Sequence, residues 1–219
     1  MSSPPRKPSV IVETVDRALV RLHWPSELRP AFDALFGIDD AMAAVVARST
    51  QPALAAIKLA WWRDQLGTLG SVRTPAEPRL EAAARELLPR GVTGAELAEL
   101  EAGWAGLLDE VPDMDAVAER GARLFRIGAR LLGVEVDDAM LDSPGRLFAG
   151  VDAARRGLVD MVAASPGRGG RRIVRRARPL TALAALAARD LRRDGPPFEP
   201  EGTPGRAWTL IRHRFTGKL

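Results

Sequence analysis

Residues 113–133 read DMDAVAERGARLFRIGARLLG, and this stretch decides the fold class. Val117, Leu124, Ile127 and Leu131 stand seven, three and four places apart, which puts them on one face of an α-helix. Asp113 precedes the run with a side chain able to accept from the first free amides, and Gly133 follows it with a backbone able to turn left-handed. A helix from Asp113 to Gly133 is therefore expected. Alanine and leucine recur at the same spacing along the rest of the chain, without the alternation of a strand. The expected fold class is all-α.

Toward the N-terminus, Thr93 with Glu96 three residues on makes a capping box for a helix over 93–108, and a shorter amphipathic helix is expected over 77–88. A helix over 52–66 carries Leu54, Ile57, Trp61 and Trp62. Before it, Ser26 is expected to cap a long helix that tolerates Pro30 early and buries Leu35, Ile38, Met42, Val45 and Val46. A first helix over 10–22 stops at Trp24-Pro25. Toward the C-terminus, Ser143 is expected to cap a helix over 144–164 with proline at its first position. Helices over 180–192 and 205–215 follow. No fixed-period repeat and no dividing linker is present, so residues 9–219 read as one helical domain behind a polar, proline-rich tail over 1–8.

A chain of 219 residues can bury about 70% of its unfolded surface without a staple. It has no cysteine, which excludes thiol nucleophiles, disulfides and cysteine-bearing zinc sites. His23 and His213 are its only imidazoles, and neither belongs to a paired metal-binding motif. Lysine and arginine total 32 against 28 acids, all but three of them arginine, a balance too mild for a general polyanion binder. No run approaches eighteen uncharged apolar residues, and the N-terminus lacks an apolar signal region. Cytoplasmic residence is the expectation, with peripheral contact at the inner face of the membrane.

Several segments, in order, resemble the squalene/phytoene synthase family. Asp16-Arg17, then Trp24-Pro25-Ser26-Glu27-Leu28-Arg29-Pro30-Ala31-Phe32 and Ala34-Leu35-Phe36, are similar to its opening helix, proline turn and following helix. The run from Ala55 through Trp61-Trp62-Arg63-Asp64 is similar to its tryptophan-pair helix. Gly103-Trp104 with Leu107-Leu108, and Ala118-Glu119-Arg120 through Leu131-Leu132-Gly133, keep the same register over about residues 10–165. The resemblance implies a single-domain bundle of the isoprenoid synthase fold around an apolar cavity. In the family, two aspartate-rich motifs on opposing helices hold Mg²⁺ and a diphosphate. Magnesium needs oxygen ligands in near-octahedral order, so those carboxylates are the ionising machinery.

Carried over residue by residue, the first motif places Ala43, Ala44 and Ala47 where the aspartates belong. Asp39 and Asp40 form an acidic pair earlier on the helix, either a solvated pair or part of a reduced site. The second motif aligns Arg155 with the family's arginine, puts Arg156 in place of its first aspartate, and leaves Asp160 as its last. Asp152, Arg155, Arg156 and Asp160 read either as a surface ladder of i,i+4 pairs or as an anion-binding edge. Trp61 and Trp62 point about 100° apart, one expected in the core and the pair expected at the cavity. Arg63 and Asp64 are candidates for a ligand headgroup. Arg171, Arg172, Arg175 and Arg176, with Arg168 and Arg178, form a patch that either stays solvated or meets an anionic lipid surface. Nucleic acid is disfavoured because no aromatic residues interleave the patch.

The resulting expectation is a non-catalytic relative that binds an isoprenoid or lipid or assembles with a protein partner, with no cofactor. The alternative is a divergent prenyltransferase using Asp39, Asp40 and Asp160, for which Mg²⁺ would be required. That alternative needs its carboxylates at one cavity mouth.

Overall fold

The computed structural model describes residues 15–71, 76–135, 138–160, 172–193 and 195–219. The expected tail over 1–8, and Arg168 and Arg171 of the arginine patch, lie outside them. The described residues are helical and contain no strand: α1 (Val15–Arg21), α2 (Arg29–Arg48), α3 (Pro52–Gly67), α4 (Pro78–Glu86), α5 (Gly94–Ala98), α6 (Glu101–Ala105), α7 (Met114–Leu131), α8 (Asp138–Arg155), α9 (Arg178–Arg192) and α10 (Pro204–Thr216). None of them is long and apolar enough to cross a membrane.

Local signals explain most boundaries. Asp113 accepts from the amides of Asp115 and Ala116, both at 3.0 Å, and Gly133 turns left-handed at φ 62°, so α7 begins and ends close to where its sequence says. Thr93 and Glu96 form the expected capping box. The helix they open nevertheless breaks into α5 and α6. Gly103 of α6 lies so near α7 that an added Cβ would sit 2.4 Å from the Arg120 Cβ, and such close seating is achieved by two short helices rather than one straight rod.

Two expected boundaries are corrected. Ser26 does not cap α2; it lies in a 3-10 turn over Ser26–Leu28, its hydroxyl on Glu27, and α2 starts at Arg29 with Pro30 in its first turn. Ser143 does not cap α8, which starts at Asp138 and carries Pro144 inside it. The reason is tertiary. Gly121 of α7 and Gly145 of α8 cross with their backbones touching: a Cβ on Gly121 would lie 2.1 Å from the Gly145 carbonyl oxygen, and one on Gly145 would lie 2.3 Å from that of Gly121. This close packing outweighs the backbone bond that proline cannot make. At the other end, Gly157 turns left-handed at φ 68°, and the amides of Gly157 and Leu158 close on the Ala154 and Ala153 carbonyls. The helix thus stops at Arg155, well short of residue 164.

Trp24, Phe32, Phe36 and Phe148 stack through the middle of the core, joined by Leu35, Ile38 and Met42 of α2 and by Leu124 and Phe125 of α7. Helix α9 is buried over nearly its whole circumference, Leu180 through Ala188. Alanine dominates that stretch because larger side chains would hold its neighbours away.

Candidate functional site

A cavity of about 450 Å³ opens between α2 on one side and α8 and α9 on the other, with α1 and the start of α10 at its mouth. Small-molecule pockets are commonly of this size. Phe148, Leu183, Leu186 and Ala187 make its apolar wall, and Ala43, Ala44 and Ala47 face them from α2. Side chains this short leave the space open. Two networks of buried charge flank it.

The first network crosses α1, α2, α7 and α8. Asp39, fully buried on α2, accepts from the Trp104 indole N–H at 2.8 Å and from Arg120 Nη1 at 2.8 and 2.7 Å. The Arg120 guanidinium stacks 3.8 Å from the Trp104 ring centroid and reaches Asp152 at 3.5 Å. Asp152 also accepts both of its Arg156 contacts at 3.0 Å, and Arg156 donates to Asp40 at 2.7 Å. Asp40 is shared with Arg17, again at 2.7 Å. Acid and guanidinium therefore alternate from the dry interior to the cavity lip. Burial pushes the Asp152 carboxyl up, but Arg156, Arg120 and Arg17 together outweigh it and hold it below the usual carboxylate range. Burial opposes the charge on Arg156 as well, and Asp152, Asp40 and Asp39 more than restore it.

The second network ties both chain ends to α8 and α9. Arg206, on the inward face of α10, donates to Asp16 at 2.6 Å and makes a very short contact to Asp190. Arg155 grips the same Asp190 through two bonds of 2.7 and 2.8 Å and reaches the Glu199 carbonyl at 2.9 Å. Asp16 accepts in turn from the Gly202 amide at 3.0 Å. Arg155 ends α8 and Arg156 follows it with its amide still on the Asp152 carbonyl at 3.0 Å, so the two side chains diverge by about 100° and serve opposite walls.

The structure distributes the expected site residues unevenly. Asp40, Arg155 and Arg156 line the cavity. Asp39 is not a solvated acid but a core acid held by Arg120. Asp160 lies past the end of α8, exposed and away from the cavity, since Gly157 ends the helix first. The convergence of Asp39, Asp40 and Asp160 that the prenyltransferase alternative requires is therefore not found. Asp152, Arg155 and Arg156 are no surface ladder either, because they are half-buried and bonded to other helices. Trp62 packs in the core and Trp61 is exposed against it at 5.1 Å between centroids, and neither lines the cavity. Arg63 and Asp64 pair with each other on the exposed side of α3, with Glu101 as a more distant partner. Arg172, Arg175 and Arg176 are exposed.

Magnesium does not fit the residues at this cavity. Asp40 and Asp152 are acids that face each other from α2 and α8, with Arg156 bonded between them, and together with Asp39 they are matched by the three guanidinium groups of Arg156, Arg17 and Arg120. The three alanines opposite offer no oxygen ligand. Among the described residues no group of three or more histidines or acids is placed to hold a metal ion. Arg48, exposed at the rim, has no acidic partner among the described residues and remains available to an anionic group.

Arg120, Asp190 and Arg206 were not singled out by sequence reasoning as site residues. A signal exists for each: Arg120 falls in phase with the Val117–Leu124 stripe, Asp190 in phase with Leu183 and Leu186, and Arg206 in phase with Leu210. A charge on a buried stripe requires a buried partner. No protein-family model matches this chain, and no match was found among curated proteins or solved structures.

Proposed function

We propose that this chain is a non-catalytic relative of the squalene/phytoene synthases that keeps their helical shell and uses the cavity between α2, α8 and α9 to bind an isoprenoid or similar lipid. One observation carries the reading. Of the five positions that the resemblance assigns to metal ligands, Ala43, Ala44 and Ala47 on α2 and Arg156 at the end of α8 meet around a single cavity while supplying no ligand oxygen, and the fifth, Asp160, lies away from it. An apolar wall for a hydrocarbon chain, with Arg48 at the rim for an anionic headgroup, suits an amphiphile bound without metal. The place of work that fits such a ligand is the cytoplasm, against the inner face of the membrane.

The test uses farnesyl and geranylgeranyl diphosphate with the full chain. Binding by calorimetry is expected to persist in excess chelator, with no diphosphate released when Mg²⁺ is added. Ala44→Trp fills the cavity and is expected to weaken binding at least about tenfold. Arg156→Ala frees Asp40 and Asp152 from their shared cation and is expected to leave the chain folded with a loss of about 2 kcal/mol, since Asp40 keeps Arg17 and Asp152 keeps Arg120. Magnesium-dependent diphosphate release by the unaltered chain would refute the non-catalytic reading. Absence of binding, or binding indifferent to Ala44→Trp, would refute the cavity's role.

A further inference from the structure

Helix α10 is inverted. A surface helix ordinarily turns its apolar stripe to the core and its charges to water. The inward face of α10 instead carries Arg206 and His213 beside Leu210, all buried. Its outward face carries Trp208, Ile211 and Phe215, which are 65%, 45% and 76% exposed. Their spacing of three and four residues makes one continuous ridge directly opposite the buried face. Arg212 lies to one side of this ridge and Arg214 to the other, and Lys218 follows the left-handed Gly217 just past the end of α10.

A strap of backbone extends the cationic border. The Ile173 amide donates to the Gly217 carbonyl at 3.0 Å, and Arg178 donates to the carbonyls of Arg214 and Phe215, both at 2.9 Å. These bonds fasten residues 172–178 beside the end of α10, and along them Arg172, Val174, Arg175 and Arg176 are exposed. Among the described residues none of Arg172, Arg175, Arg176, Arg212, Arg214 and Lys218 has an acid within ion-pair distance. Composition matches: residues 161–219 hold thirteen basic residues against four acids, whereas residues 1–160 hold nineteen against twenty-four. The last quarter of the sequence is thus its basic part, and α10 belongs to it.

We propose that the outward face of α10, with the strap over 172–178, is a docking surface for a membrane rich in anionic phospholipid. Tryptophan and phenylalanine settle at the boundary of headgroups and acyl chains, isoleucine enters below them, and arginines keep their heads among the phosphates while their stems lie on apolar surface. A second copy of the chain fits the same face poorly, since apposed α10 ridges would bring Arg212 and Arg214 against like charges. A nucleic acid would use the cations and leave Ile211 and Phe215 without a partner. The inference stands apart from whatever the cavity holds.

Cosedimentation of the full chain with vesicles tests it, comparing phosphatidylcholine alone with phosphatidylcholine containing about one third phosphatidylglycerol. Partitioning onto the anionic vesicles is expected to be at least about tenfold stronger and to fall as salt is raised. The double variants W208A/F215A and R212E/R214E are each expected to lower it about tenfold or more. All four side chains are exposed, so circular dichroism and the melting curve should be unchanged in both variants. Ala44→Trp should leave partitioning intact. Equal binding to the two vesicle types, or binding insensitive to W208A/F215A, overturns the proposal. So does loss of partitioning in Ala44→Trp, which would mean that lipid is captured in the cavity. A concentration-dependent dimer abolished by W208A/F215A would assign the ridge to a second copy instead and likewise overturn it.

Discussion

The two charged walls of the cavity use the same chemistry to different ends. The wall built on Asp39, Arg120, Asp152, Arg156 and Asp40 runs from the centre of the molecule outward, joins α2, α7 and α8, and touches α1 through Arg17. The wall built on Asp16, Arg206, Asp190 and Arg155 joins α1 and α10, at opposite ends of the chain, to the helices between them. Both place a guanidinium between carboxylates, so neither leaves an unmatched charge in the apolar interior. What differs is what the walls join, for the central pair of each is buried: Asp39 and Arg120 have no exposed side-chain surface, and Arg206 and Asp190 keep only 2% and 1%. The first wall therefore ties the core helices to the cavity lip, and the second acts mainly as a clasp for α1 and α10.

Arg120→Ala tests the first wall and carries the largest expected effect. It strands Asp39 in the core and should cost about 4 kcal/mol in urea unfolding. Replacing both partners with apolar residues, Asp39→Leu with Arg120→Met, should recover much of that loss, because no charge is then left unpaired. If the double variant is no better than the single one, the pair is not the isolated core unit described here.

Arg206→Ala attacks the clasp and should cost less, about 3 kcal/mol. Its signature is regional. Amide exchange should quicken first in α1 and α10 while α2 and α7 remain protected. Uniform loss of protection would erase the distinction between the two walls.

The smallest effect concerns pH and also falls on α10. Burial pushes the His213 imidazole below its ordinary value, against a partly offsetting bond to the Lys218 carbonyl. Nδ1–H donates to that carbonyl at 2.8 Å, leaving Nε2 to accept from the Thr181 hydroxyl at 2.9 Å. Burial also lowers His23, with Arg214 and His213 adding to the effect. A histidine that is harder to protonate when folded binds its proton first in the unfolded chain. Its contribution to stability is complete above the unfolded value near 6.5 and is lost as pH falls below it. The urea midpoint should accordingly drop between pH 7.5 and 5.5, and His213→Gln should flatten the drop. A midpoint independent of pH over that interval would contradict the buried neutral imidazole.

The helical class, the capping box at Thr93 and the limits of α7 were legible because each depends on residues within a turn or two of one another. Ser143-Pro144 misled for the same reason: locally it reads as a helix start, and only the crossing of Gly121 with Gly145 carries the helix through it. Ala43, Ala44, Ala47 and Arg156 line a common cavity, which no property of alanine in the sequence could have shown. Asp160 failed because a single left-handed glycine removed it from the helix.

By its own pattern the chain determined that it would be helical, cysteine-free, mildly basic and poor in oxygen ligands where α2 faces the cavity. Which acid meets which arginine was decided by tertiary structure alone. Asp39 and Asp40 are adjacent and chemically identical, and one residue of helical rotation sends the first into the dry core and the second to the cavity lip. The energy of an ion pair depends on the water excluded around it, and that is a property of the packed molecule rather than of any segment.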